Sequence, residues 1–102
     1  MTREQAVEIL EEYRSRIDVI DLRILALLNE RAVIVEQIGH TKQAAEMPIY
    51  EPRREDKVFA NVTAHNAGPL GSDAVKRVYE RILDEMRKVQ RDRMELDKKQ
   101  CS

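Results

Sequence analysis

Two cations stand where the hydrophobic pattern of this chain calls for apolar side chains. Stepping by threes and fours from Ile24 gives Leu27, Arg31, Val35, Ile38 and Lys42. On a helix, Arg31 and Lys42 fall within about 20° of each other and about 16 Å apart along the axis. Two long cationic side chains leaning together across that gap can bracket a small anion. Arg14 lies 17 residues before Arg31. That is about 25 Å and roughly 100° round the wheel, out of reach of the same small ligand within one chain. In a two-fold dimer Arg14 reaches the partner's ligand instead, which suggests two sites, each completed by an arginine from the other subunit. Gln90 follows Met86 by four residues and Leu83 by seven, so it also faces an apolar side. A buried amide needs hydrogen-bond partners, and a ligand can supply them. Glu51 and Glu55 are four apart around Pro52, beside Arg54, and share a face at a helix start.

Each of these residues also has an ordinary reading. Arg14 and Arg31 fit structural ion pairs with Asp18, Asp21 or Glu30. Lys42 fits a lysine snorkelling to solvent near a helix end. Gln90 fits a polar residue at the end of a helix, and Glu55 an acid that complements the helix dipole. Asp18 and Asp21 read as structural. His40 and His65 have no partner pattern and read as solvent-facing, and Cys101 reads as an inert thiol in a polar tail. Only the combination points to a site.

Three helices must position these groups, with no convincing strand. The first spans about residues 4 to 45, with Ile9, Tyr13, Ile17, Ile20, Ile24, Leu27, Leu28, Val35 and Ile38 at helical spacing. A break at Gly39 is allowed but not required, since one Gly costs only about 1 kcal/mol relative to Ala. Met47 to Pro52 connects to a second helix, with Pro52 at its first position, where the missing N–H is not needed. That helix runs to about His65 and stops at Asn66-Ala67-Gly68-Pro69. Ser72 or Asp73 can cap a third helix with Val75, Val78, Tyr79, Ile82, Leu83, Met86 and Val89 on its apolar side. The tail from about Arg91 is polar and is expected to fray.

The length of the first helix carries its own consequence. About 40 residues make a rod of about 60 Å, against a radius of gyration near 13 Å for a compact domain of about 100 residues. Its apolar stripe needs a second chain, and a homodimer with long helices crossing or pairing is expected. One domain, residues 1–102, is the natural expectation, with a core over about 7–91 and a polar tail over 92–102.

Composition narrows the function classes. The 102 residues are 42% hydrophobic and 36% charged, which fits a helix-rich globular chain. With 18 basic and 19 acidic residues and a net charge of −1, no global basic field exists to hold nucleic acid or an anionic membrane. Any anion site is therefore local. A single cysteine excludes a disulfide framework, and the spacings of a zinc site are missing. The N-terminus has no apolar run of signal-peptide length and no stretch is suited to span a membrane, so a cytoplasmic setting is the expectation.

The ordered run Arg14-x-x-Ile17-Asp18-x-x-Asp21-x-x-Ile24-Leu25-x-Leu27-Leu28-x-x-Arg31 resembles the opening signature of the all-helical AroQ class of chorismate mutases. The likeness continues through Ile38-Gly39-x-x-Lys42, Pro48 and Glu51-Pro52-Arg53-Arg54-Glu55 to Gln90, covering about residues 7 to 91. It implies an all-α fold, an intertwined homodimer of three-helix chains with two sites, and conversion of chorismate to prephenate without metal or cofactor. Carried over, Arg14 of one subunit and Arg31 of the other would hold the substrate's two carboxylates. Lys42 and Gln90 would meet the ether oxygen. Glu51, where many members carry Asp, and Glu55 would lie near the ring hydroxyl, and Arg54 would line the site. Met86 stands where some members have Ser, which removes a minor carboxylate contact. The same scaffold also serves isochorismate–pyruvate lyases and regulatory modules that bind chorismate or prephenate. Mutase-like domains occur fused to other shikimate-pathway enzymes, so association with such an enzyme is a further expectation. The two acids at 51 and 55 favour the mutase.

Overall fold

The structure, a computed structural model, describes residues 1–101, with side chains as far as Gln100. The thiol of Cys101, read above as inert, lies outside the described residues. Three α-helices follow one another: α1 (Arg3–Ala45), α2 (Pro52–His65) and α3 (Ser72–Cys101). No strand occurs among the described residues. The chain divides into two compact units, Met1–Val33 and the segment from Ile34 onward.

The first unit is one stretch of helix with a capping box at its start. The Gln5 amide donates to Thr2 Oγ1 at 3.1 Å, and the Thr2 amide donates to Gln5 Oε1 at 2.9 Å. This Thr-x-x-Gln reciprocity satisfies two amides that the helix leaves unpaired. No residue of the unit is buried. Tyr13, Ile17, Ile20, Ile24 and Leu27 of the predicted stripe are exposed, and so are Leu10, Leu22, Leu25 and Val33 on other sides.

The second unit holds the end of α1 with α2 and α3. Helix α1 runs through Gly39 without a break. A Cβ on Gly39 would lie 3.1 Å from both the Cα and the carbonyl oxygen of Gln90, so here the α1 and α3 backbones touch. Val35, Gly39 and Lys42 form the buried side of this part of α1. The helix then closes in a Schellman arrangement: Met47 N–H donates to Lys42 O at 2.8 Å and Glu46 N–H to Gln43 O at 3.3 Å. Glu46 takes the left-handed φ of 56° that glycine usually supplies.

Pro52 opens α2 as expected, with Glu51 at the N-cap. The Asn66 turn is closed by its own side chain, which donates to Leu70 O at 2.7 Å and accepts from Gly68 N–H at 3.0 Å. Gly68 has φ of 79°, a conformation that favours glycine. The Val75 amide donates to Gly71 O at 3.0 Å. Gly71 therefore takes the cap position expected of Ser72 or Asp73.

The C-terminal segment corrects the expectation of a frayed tail. Helix α3 continues to Cys101, and Met94 and Asp97 are buried. The buried stripe of α3 reads Leu83, Met86, Gln90, Met94, Asp97, in steps of three and four. It runs past Arg91 because Met94 and Asp97 keep its spacing.

Candidate active site

Lys42 is 6% exposed, yet it is not an unpaired cation in an apolar seam. Its ammonium donates to the carbonyl of Ile49 at 2.8 Å and to Gln90 Oε1 at 2.9 Å, and pairs with Glu51 Oε1 at 2.8 Å. A lysine has three N–H donors, and all three are used. The Schellman stop just after Lys42 turns the chain so that Ile49 and Glu51 come back onto it. The snorkelling alternative fails, because Lys42 points into the unit. Gln90, also buried, gives Lys42 its oxygen, which leaves its NH₂ free to donate elsewhere. Glu51 sits at the start of α2, where the helix dipole favours an anion, with its side chain partly open to solvent.

Glu55, one turn further along α2, has a partner that sequence reasoning missed. Arg87 Nη1 donates to both carboxylate oxygens, at 2.7 and 2.6 Å. Arg87 also pairs with Asp84, and its guanidinium lies 5.7 Å from the centroid of the Tyr50 ring. The bond to Glu55, and then the nearby charges, raise the Arg87 pKa above its ordinary value. Its position four after Leu83 and three before Gln90, beside the buried stripe, was the available signal.

Of the other predicted residues, Met86 is buried in the core with Val75 and Leu83. Arg54 is exposed on α2. In the first unit, Arg31 is half-buried, and it has no ion pair among the described residues. Arg14 is exposed and lies 3.6 Å from Glu11, not from Asp18. Lys42, Glu51 and Gln90 are thus brought together, while Glu55 is held by Arg87. His40, read as solvent-facing and unpartnered, has a partner: its Nδ1 lies 2.9 Å from Asp97 Oδ2. His65 is exposed and bonds only within its own helix, to Asn61 O at 2.8 Å. Among the described residues no helix is long and apolar enough to cross a membrane.

These features define a class: an all-helical protein with a buried, fully hydrogen-bonded lysine beside an amide and two acids. Residues 13–91 match the chorismate mutase type II family, and the chain belongs to it. Solved structures agree. A chorismate mutase from Helicobacter pylori in complex with prephenate superposes with a TM-score of 0.81 at 28% identity, covering 86% of this chain and 96% of that one. Form II of the Thermus thermophilus chorismate mutase gives 0.79 at 28% identity, covering 80% and 93%. A bifunctional chorismate mutase/prephenate dehydratase from Aquifex aeolicus is 38% identical over 81 residues, which is 76% of this chain and 22% of that protein. The chain thus spans about a fifth of the length of such bifunctional relatives. A chorismate mutase from Methanocaldococcus jannaschii is 34% identical over 56 residues, covering 55% of this chain and 57% of that one.

Proposed function

We propose that the chain catalyses the rearrangement of chorismate to prephenate, as one mutase domain within a homodimer. The observation that carries this reading is the buried Lys42 ammonium bonded to Gln90 Oε1. The reaction is unimolecular and pericyclic, so the protein has two tasks. It selects a folded conformer of a flexible dianion, and it stabilises charge that builds on the ether oxygen as the C–O bond breaks. Arginine pairs suit the first task, through charge-assisted bonds to two carboxylates. Arg31 and, from the partner subunit, Arg14 take that role.

Lys42 and Gln90 suit the second task. Lys42 holds the amide oxygen of Gln90, which turns the amide NH₂ towards an acceptor. The Gln90 amide is then the free donor. The Lys42 ammonium, whose three N–H groups are taken, supplies a fixed positive charge beside it, or donates to the ether oxygen by giving up one of those partners. Groups set in place before the reaction act most strongly in a site low in water. Glu51 and Glu55 are placed for the ring hydroxyl, and Arg54 lines the site. Met86 offers only an apolar wall.

The homodimer is supported by the first unit, where apolar side chains on several sides of α1 lie exposed. So many large apolar side chains exposed along one helix mark an interaction surface rather than a free one. A cytoplasmic setting goes with this reading. The bifunctional relatives support association with another enzyme of the same pathway.

The test is a continuous absorbance assay of the purified protein with chorismate, with the product identified. Loss of chorismate matched by prephenate is the expected result. No turnover of chorismate, with release of pyruvate from isochorismate, would overturn the reading in favour of the lyase.

A further inference from the structure

Asp97 lies beyond the family-matched segment, yet it is 7% exposed and tied across helices. His40 of α1 has Nδ1 2.9 Å from its Oδ2, and Arg93, one turn earlier on α3, has Nε 3.1 Å from its Oδ1. A carboxylate only accepts, so Nδ1 carries the proton of the cross-helix bond. A buried carboxylate is costly unless paired, which explains why both neighbours are basic.

The placement of this pair matters more than its strength. Helices α1 and α3 touch at Gly39 and Gln90. The close backbone contact fixes where α1 and α3 meet, while how α3 is turned there is left to side-chain ties: Arg87 to Glu55 of α2, and the bonds to α1 along this seam. His40 follows Gly39 directly, and Lys42 follows by three residues. Asp97 is seven residues after Gln90, about two turns and 10 Å along the same face. The two cross-helix bonds, Lys42 to Gln90 and His40 to Asp97, therefore lie on one seam. We propose that His40 and Asp97 are positioning residues for Gln90: their bond sets the rotation of α3 at Gly39, and with it the aim of the Gln90 amide. The C-terminal turns of α3 are then part of the working site. This rests on the reading of Gln90 as a donor to the ether oxygen.

His40→Ala cuts the tie from its exposed side, where the His40 side chain is 55% exposed, and leaves Asp97 paired with Arg93. The expected result is a fall in kcat of about tenfold to a hundredfold, as small misplacements in an active site produce, with KM nearly unchanged. His40→Asn keeps a donor close to the Nδ1 position and is expected to recover most of the loss. In a Gln90→Ala background, His40→Ala should cost nothing further in kcat. An unchanged kcat in His40→Ala, or the same fold-loss with and without Gln90, overturns the inference while leaving the function intact. Full turnover in Gln90→Ala itself overturns both the donor reading and the inference.

Discussion

Arg87 Nη1 reaches both carboxylate oxygens of Glu55, at 2.7 and 2.6 Å, and so ties the start of α2 to α3. The same guanidinium packs over Tyr50, which precedes Glu51, the partner of Lys42. The segment from Tyr50 to Glu55 is therefore held from two sides, by a lysine of α1 and an arginine of α3.

Removing Arg87 is expected to leave Glu55 unpaired in a mostly buried place. Hydrogen bonds to charged groups are worth about 1.5–3 kcal/mol, and Arg87→Ala should lower unfolding stability by an amount near that range. Urea titration measures it. In a Glu55→Gln background the loss should shrink; an equal loss there would show that Arg87 acts through something other than Glu55.

Lys42→Ala and Arg31→Ala are each expected to lower kcat/KM by about 100-fold or more, the usual effect of deleting a placed charge-stabilising group. Far-UV circular dichroism should stay helical. Near-normal turnover in either variant would remove that residue from the site.

Gln90→Glu should move activity to lower pH. Only the protonated acid donates a hydrogen bond, so kcat/KM is expected to rise as pH falls. Lys42 at 2.9 Å favours the ionised form and pushes that rise further towards acid. A pH–rate profile parallel to the parent's would contradict the donor role.

Gly39→Ala is expected to destabilise, although Ala is the better helix former by about 1 kcal/mol. The new Cβ meets backbone atoms of Gln90 at 3.1 Å, so the helices must part. Overpacking costs of about 1–3 kcal/mol are usual, and turnover should fall with the displaced Gln90. A raised melting temperature would show that the contact is loose.

Glu46→Gly should stabilise by roughly 0.5–1 kcal/mol, because Glu46 holds a left-handed φ at the helix C-terminus that glycine adopts freely. Thermal melts of the two proteins decide this, and equal midpoints would show that Glu46 bears no backbone strain.

Much of the fold was legible in the residues, because helix punctuation is local. Pro52, the Asn66-Ala67-Gly68-Pro69 turn and three-four periodicity placed all three helices close to where they lie. The C-terminal turns were misjudged because Arg91, Asp92 and Arg93 look like a solvated tail. Asp97 is buried with a partner on another helix, His40, as well as Arg93 on its own, and the first of these is not visible in the sequence.

The sequence by itself determined which residues break the apolar pattern, since periodicity is a property of the chain: Arg31, Lys42 and Gln90 could be read off directly. It also determined the family, through an ordered set of spacings along most of the chain. Tertiary structure alone decided the partners. Lys42 and Gln90 are 48 positions apart, Arg87 and Glu55 are 32, and His40 and Asp97 are 57. Hydrogen bonds across such separations depend on how helices cross and rotate, and for the two between α1 and α3 that involves the close approach of one bare glycine, Gly39, to Gln90.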